Sequence, residues 1–239
     1  MFVAKTDSTN TELSKKLQDE QLPDGYTLYT YHQTAGRGQR GNSWESEPGK
    51  NLLLSTLLLP EDLPIEANFL LSEVVALAVK KTLDQHCDHI RIKWPNDIYW
   101  QDKKIAGILI ENTWMGRHVH TCIAGIGLNL NQMQFVSDAP NPISLKQITG
   151  KDYDQEDVLR DLLANIAHYK QELIRSASAL QENYHQAIYR KEGYYPYEDA
   201  DGEFFAEIIE VKADGQLRLR CENGAEKAYY FKEVKFVHS

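Results

Sequence analysis

Two apolar runs dominate the pattern of the chain. "NLLLSTLLL", Asn51 to Leu59, has strand length and no alternation, which predicts a strand buried on both faces. "NFLLSEVVALAVKKTL", Asn68 to Leu83, predicts a long apolar helix whose polar edge is Ser72, Glu73, Lys80 and Lys81. Ahead of them, Ser8 or Thr9 can cap a helix in which Leu13 and Leu17 share a face, with "LPDG", Leu22 to Gly25, as its stop. "YTLYTYH", Tyr26 to His32, reads as a strand rich in aromatic and β-branched residues. Further on, "IRIKW" is a short strand, and "DIYWQDKKIAGILIE" is a hairpin turning at Gln101, Asp102 and Lys103. "HVHTCIAGIGLNL" is another buried strand, and Asp157 to Ile174 returns to helical spacing through Leu159, Leu162, Leu163, Ile166 and Leu173. From about Gly193 the pattern becomes short alternating strands split by Asp214-Gly215 and Asn223-Gly224, both hairpin signals. The reading is an α+β chain with a main domain over 1–190 and a small β-barrel-like domain over 191–239.

Between the first strand and the leucine run lies "AGRGQRGNSW", Ala35 to Trp44, with a Gly36-x-Gly38-x-x-Gly41 spacing. A dinucleotide fingerprint needs a helix directly after its glycines, because the helix amino terminus holds the pyrophosphate. Here Asn42 to Gly49 shows no helical apolar spacing, which disfavours a nucleotide dehydrogenase. A Walker loop is excluded, since Gly49-Lys50 is followed by Asn51 and lacks the earlier glycine. What remains is a loop with bare backbone N–H groups and two guanidiniums, Arg37 and Arg40, suited to clamping an anionic ligand.

Composition narrows the classes further. The 239 residues carry 26 Lys and Arg against 35 Asp and Glu, a net charge of -9, which disfavours a general polyanion binder. Neither nucleic acid nor membrane is expected as a partner: no apolar run approaches the roughly 18 residues that would span a bilayer, and the amino terminus has no signal-like apolar segment. Cys87, Cys122 and Cys221 lie far apart with no C-x-x-C pair, so a reducing, cytoplasmic setting fits.

Four motifs stand in order over some 120 residues: "DSTN" at Asp7 to Asn10, the glycine loop, "KWPNDIYWQDKKIAGILIE" at Lys93 to Glu111, and "GIGLNLN" at Gly125 to Asn131. In this the chain resembles the catalytic part of the biotin protein ligases, over nearly its whole length. The resemblance implies a class II aminoacyl-tRNA-synthetase-like and biotin-ligase-like mixed sheet with helices, followed by a small SH3-like β-barrel. It implies that ATP and biotin are substrates, with Mg²⁺ on the polyphosphate, and that the product biotinyl-5'-AMP passes biotin to one lysine of a biotin carboxyl carrier protein domain of acetyl-CoA carboxylase or a related carboxylase. Some relatives dimerise through a sheet edge, so a homodimer is a further expectation. With six residues ahead of Asp7, the expected protein is a ligase without a DNA-binding repressor domain.

Bringing a carboxylate against a phosphate is opposed chiefly by charge repulsion, so cations are the needed tools. Arg37, Arg40, Lys93 and Lys104 are the positive groups inside the motifs. By resemblance Lys104 meets the biotin carboxylate and phosphate, although a solvated hairpin lysine is its ordinary fate. Ser8, Thr9, Asn10 and Gln33 match positions that hydrogen-bond the biotin ureido ring; a helix cap is the plainer role of Ser8 or Thr9. Trp44 matches an aromatic that packs on the adenylate, Asn129 matches an adenine contact, Gly36, Gly38 and Gly107 join the expected ligand-binding positions, and Gly125 and Gly127 permit close backbone approach. Pro95 sets a turn in which Lys93, Asn96 and Asp97 can face one cleft, where Asp97 would assist the metal or take a proton from the incoming lysine. Two loop positions depart from the best-known bacterial pattern: Gln39 and Asn42 stand where arginines are usual, which implies a looser hold on biotinyl-AMP.

Other clusters read more simply. "HCDH", His86 to His89, lacks zinc spacing, His118 and His120 share a strand face as paired surface histidines do, and "GYYPY" around Tyr194 to Tyr197 reads as an interdomain hinge surface. The competing readings are a lipoate ligase, with the same adenylation chemistry, and a non-catalytic biotin or acyl-carrier binding module.

Overall fold

The structure, a computed structural model, describes residues 1–137 and 141–237, the Arg40 side chain excepted. The elements run α1 (Thr9–Asp19), β1 (Thr27–Thr30), β2 (Leu52–Leu58), α2 (Phe69–Leu83), β3 (Ile90–Lys93), β4 (Asp97–Trp100), β5 (Lys103–Met115) and β6 (His118–Leu128). There follow α3 (Leu145–Thr149), α4 (Gln155–Arg175), α5 (Ala177–Ala187), β7 (Tyr195–Asp199), β8 (Gly202–Val211), β9 (Leu217–Cys221), β10 (Glu226–Tyr229) and β11 (Lys235–Phe236). Strands β1 to β6 form one sheet in the order β1-β2-β6-β5-β4-β3. Its named strands all pair antiparallel; parallel register, which the expected mixed sheet would carry, enters as isolated bridges such as Phe2 to Tyr29 and Ile92 to Ile188.

The leucine run lacks alternation because β2 is covered twice. Leu52, Leu54 and Leu58 join the main core under α2, while Leu57 packs with Leu13 of α1 and Ile123 of β6 on the opposite face. α2 lies between the sheet and α4 and α5, so it is wrapped on nearly all sides. One expected polar-edge residue is therefore not at an edge: Glu73 is fully buried, with neither carboxylate oxygen bonded among the described residues. Burial pushes its pKa up to about 8.

The second sheet has the order β10-β9-β8-β7-β11, all antiparallel, and is the structure behind the barrel-like expectation. Its turns use both predicted dipeptides, with Gly215 and Gly224 at positive φ. The Asp214-Gly215 turn docks on the main sheet's turn: the Trp94 indole N–H donates to the Gly215 carbonyl at 3.0 Å, and the Phe69 ring packs against Gly215. Tyr197 is a core residue of this sheet rather than a hinge surface, fully buried with its ring 5.0 Å from Phe236 and 6.0 Å from Phe204. Its alternating β7 position turns it inward. Among the described residues no three His, Cys, Asp or Glu side chains converge as a metal centre. His86 instead packs edge-on against Tyr153, and the three cysteines are free. No described helix is long and apolar enough to cross a membrane.

Candidate active site

Residues directly opposite in antiparallel strands share a face, so the register alone builds a floor. Asp97 of β4 pairs with Gly107 of β5, Gly107 with Gly127 of β6, and one row along Gly125 pairs with Ser55 of β2. Three glycines in adjacent strands leave a shelf with no side chains. The Trp44 indole lies on it: a Cβ built on Gly107 would stand 2.9 Å from Trp44 Cζ3, and one on Gly127 2.6 Å from its Nε1. Above this floor is a cavity of about 480 Å³.

Lys104 reaches the same face through a bulge. Tyr99 pairs with Lys104 and Ile98 with Ala106, so Ile105 is the extra residue on β5. In an unbroken strand residues 104 and 107 would point to opposite faces; the bulge turns both to the cavity. The Lys104 Nζ then lies 2.6 Å from Asp97 Oδ1 and 5.6 Å from the centre of the Trp44 ring. Lys93 and Asp97 pair across the β3–β4 turn, whose Trp94–Pro95 bond is cis, and Asn96 is fixed there by donating from Nδ2 to the Ile108 carbonyl at 2.7 Å. Lys93 Nζ donates to the Tyr99 hydroxyl at 3.0 Å and sits over the Tyr99 and Phe236 rings. Burial lowers its pKa, with Asp97 acting in the opposite sense.

The other end of the cavity is polar. The Thr9 N–H donates to Gln33 Oε1 at 2.8 Å, Ser55 Oγ lies 2.7 Å from Thr9 Oγ1 and 2.5 Å from Asn10 Oδ1, and Asn10 Nδ2 donates to Glu111 Oε2 at 2.8 Å. Arg37 ion-pairs with the same Glu111 oxygen at 2.7 Å. Ser8 precedes α1 as its N-cap residue, though its side chain makes no capping bond, so the hydroxyl is not committed to the helix.

The glycine loop closes on itself instead of hanging open. The Trp44 N–H donates to the Gly36 carbonyl at 2.9 Å and the Gly38 N–H to the Asn42 carbonyl at 2.7 Å, around one 3-10 turn at Gln39–Gly41. Gly36 is away from the cavity lining; a Cβ there would meet the Trp44 carbonyl at 2.6 Å, so its glycine serves the loop's own close approach. The Arg40 side chain lies outside the described residues. Of the remaining sequence candidates, Ser8, Thr9, Asn10, Gln33, Arg37, Gly38, Gln39, Trp44, Lys93, Asn96, Asp97, Lys104, Gly107 and Asn129 all line the cavity. Three buried polar atoms on these residues, Gln39 Oε1, Trp44 Nε1 and Asn129 Oδ1, have no partner among the described residues. Such atoms carry a desolvation cost that a ligand contact would offset.

Sequence reasoning missed several residues. Ser55 is the polar break inside the leucine run, a signal that was available. Glu111 ends a quoted motif but drew no role. Glu45, which accepts from the Val136 and Ser137 N–H groups at 2.9 and 2.8 Å, had no distinguishing pattern. Nor did Phe231, Val234 and Phe236, which reach the cavity from the second sheet.

With this geometry in view, the similarities to known proteins are informative. The sequence profile of the Biotin/lipoate A/B protein ligase family matches residues 2–129, the stretch that holds the floor, the polar end and Lys104. The biotin–[acetyl-CoA-carboxylase] ligase of Paracoccus denitrificans is 36% identical over 170 residues, covering 68% of this chain and 69% of that protein. The bifunctional ligase/repressor BirA of Bacillus subtilis is 28% identical over 232 residues, covering 93% of this chain and 70% of that protein. Among solved structures, the biotin protein ligase of Aquifex aeolicus in complex with biotin and ATP superposes with a TM-score of 0.80 at 26% identity, covering all of this chain and 98% of that one. Motifs, fold and cavity coincide in one stretch, and the chain belongs to the biotin/lipoate A/B protein ligase family.

Proposed function

We propose that the protein activates biotin with ATP to biotinyl-5'-AMP and transfers the biotin to one lysine of a biotin carboxyl carrier domain of a carboxylase. The observation that carries this reading is the pairing, in one cavity, of a polar end built from Thr9, Asn10 and Gln33 with a cationic centre at Lys104 beyond the glycine floor. A cyclic urea offers alternating N–H and C=O groups and fits the polar end. The dithiolane of lipoate would leave those groups unpaired, which argues against the sister activity.

In this reading the biotin carboxylate and the α-phosphate approach each other beside Lys104, whose charge offsets their repulsion. Asp97 holds the Lys104 ammonium in place through their 2.6 Å contact and, as a carboxylate of the same cavity, would take the carrier lysine's proton. Arg37 and Lys93 add charge at the two ends, and Trp44 supplies an aromatic surface for the nucleotide. Gly38, Gln39 and Asn129 complete the nucleotide surround. Were Mg²⁺ bound with the ATP polyphosphate, it would supply charge neutralisation, and of the two carboxylates that line the cavity among the described residues, Asp97 and Glu45, Asp97 beside Lys104 would hold it. Residues 1–190 form the catalytic domain, and 191–239 form a second domain that lends the Phe231–Phe236 segment to the cavity wall. The free cysteines fit a cytoplasmic setting, and a homodimer is the assembly to test by sedimentation.

The reading is tested by intact-mass analysis of a purified carboxylase carrier domain incubated with the protein, Mg²⁺, ATP and biotin. One biotinyl increment, absent when the acceptor lysine is replaced by arginine, is expected. An unmodified carrier domain under conditions where the adenylate forms would refute the transfer half of the reading.

A further inference from the structure

The polar end of the cavity rests on a layer that never meets the ligand. Ser55 is fully buried and does not line the cavity, yet its hydroxyl touches both Thr9 and Asn10, which do. Counting protons through this layer gives it a direction. Glu111 can only accept, and the Leu109 carbonyl can only accept, so the two hydrogens of the Asn10 amide are drawn to that side, at 2.8 and 3.3 Å. The Asn10 Oδ1 is thereby turned toward Ser55, and as an acceptor it takes the single Ser55 proton across 2.5 Å. Ser55 Oγ also contacts Thr9 Oγ1 at 2.7 Å, and the Thr9 hydroxyl proton is taken by Gln33 Oε1 at 3.1 Å or by Ser55, in either case away from the cavity. The Thr9 oxygen is left to face the cavity as an acceptor. Gln33 is fixed in the complementary sense, because the Thr9 backbone N–H binds its Oε1 and leaves Nε2 as the donor.

The layer is also sterically built. A Cβ on Gly125 would stand 2.8 Å from Asn10 Cγ, so the amide fits only because its cross-strand position opposite Ser55 is glycine.

From this we infer that Ser55 and Glu111 are positioning residues that set the proton direction of the recognition end, fixing Thr9 as an acceptor and thereby selecting a ring that presents N–H. The inference deepens the biotin reading of the same cavity and rests on it. Glu111 also holds Arg37, so a change there disturbs two ends of the site at once. Ser55 touches only the recognition end and is the cleaner probe.

The experiment measures pyrophosphate release with Mg²⁺-ATP by wild-type, Ser55→Ala and Ser55→Thr proteins, using biotin and a biotin N-methylated on its urea. The loss of one neutral hydrogen bond corresponds to about 2- to 10-fold in affinity. Ser55→Ala is expected to raise KM for biotin by about that factor, with KM for ATP and kcat within about twofold of wild type. Its preference for biotin over the N-methylated analogue should shrink, because Thr9 is then held by Gln33 Oε1 alone, at 3.1 Å, and its hydroxyl can turn and donate. Ser55→Thr, which keeps the hydroxyl, should restore the preference. An unchanged biotin KM in Ser55→Ala, or equal increases for biotin and ATP, overturns the inference while leaving the ligase reading intact. Absence of biotin-dependent release by the wild-type protein overturns both.

Discussion

Glu73 makes the folded state sensitive to pH from deep inside the core. Its carboxyl is fully buried in α2, is bonded to nothing among the described residues, and faces the equally buried Tyr184 of α5. Burial disfavours the carboxylate and moves its pKa from 4.5 to about 8. A folded-state pKa raised above the unfolded value means that the folded protein binds the proton more tightly, so this contribution to stability is full below pH 4.5 and is lost as pH rises toward 8. At about 1.4 kcal/mol per unit, the cost reaches about 3 kcal/mol at pH 7. Between pH 5 and pH 8 the same arithmetic gives a loss of roughly 3 to 4 kcal/mol. Glu73→Gln keeps the shape and removes the titration. Urea unfolding of both proteins across this range should show nearly equal stability at pH 5 and a widening advantage for the variant, worth roughly 6–12 °C in Tm by pH 7 for a chain of this size. Because every other group titrates alike in the two proteins, the difference isolates Glu73. A gap that stays constant from pH 5 to pH 8 would refute the reasoning.

Other outcomes follow from the same geometry. Gly127→Ala puts a methyl group within 2.6 Å of the Trp44 indole nitrogen, so the ring must lift by about 1 Å; KM for ATP should rise about tenfold or more, with a shifted tryptophan emission as the sign of the moved ring. Gln39→Arg supplies the missing loop cation and should slow dissociation of biotinyl-AMP about tenfold in stopped-flow chase experiments, whereas equal rates would show that this loop position does not control retention. Trp94→Phe removes the 3.0 Å bond to the Gly215 carbonyl and should cost about 1–3 kcal/mol of stability by denaturant unfolding, since it orphans a buried carbonyl.

The elements were legible wherever burial imposed a period. The alternation lost in "NLLLSTLLL" and the 3.6-residue spacing of the Asp157 helix record how many sides of each segment are covered, and both became the expected structure. The motifs likewise led to one cavity, since nearly every residue chosen from them lines it. Three features escaped because they depend on contacts between distant segments. Nothing local distinguishes Glu73 from the surface lysines of α2; its burial comes from α5, over a hundred residues later. The bulge at Ile105, which sends Lys104 to the same face as Gly107, is a property of β4 and β5 together and leaves no mark on either strand alone. Ser55 showed itself as a polar residue in an apolar run, but its purpose appears only when β2, β6 and α1 meet. The glycine loop reads in the sequence only as bare backbone N–H groups and guanidiniums; its own backbone bonds close it, and the shelf formed by Gly107 and Gly127, which gives Trp44 a seat, comes from segments far along the chain.

The most direct test of the account is pyrophosphate release by the purified protein with Mg²⁺-ATP and, separately, biotin, lipoate and octanoate, beside the Lys104→Ala variant. The account predicts release with biotin alone and a fall of about 10²- to 10³-fold in the variant, the scale expected for one electrostatic group at the reacting centre. Release with lipoate or octanoate in place of biotin, or an undiminished rate without Lys104, would contradict it.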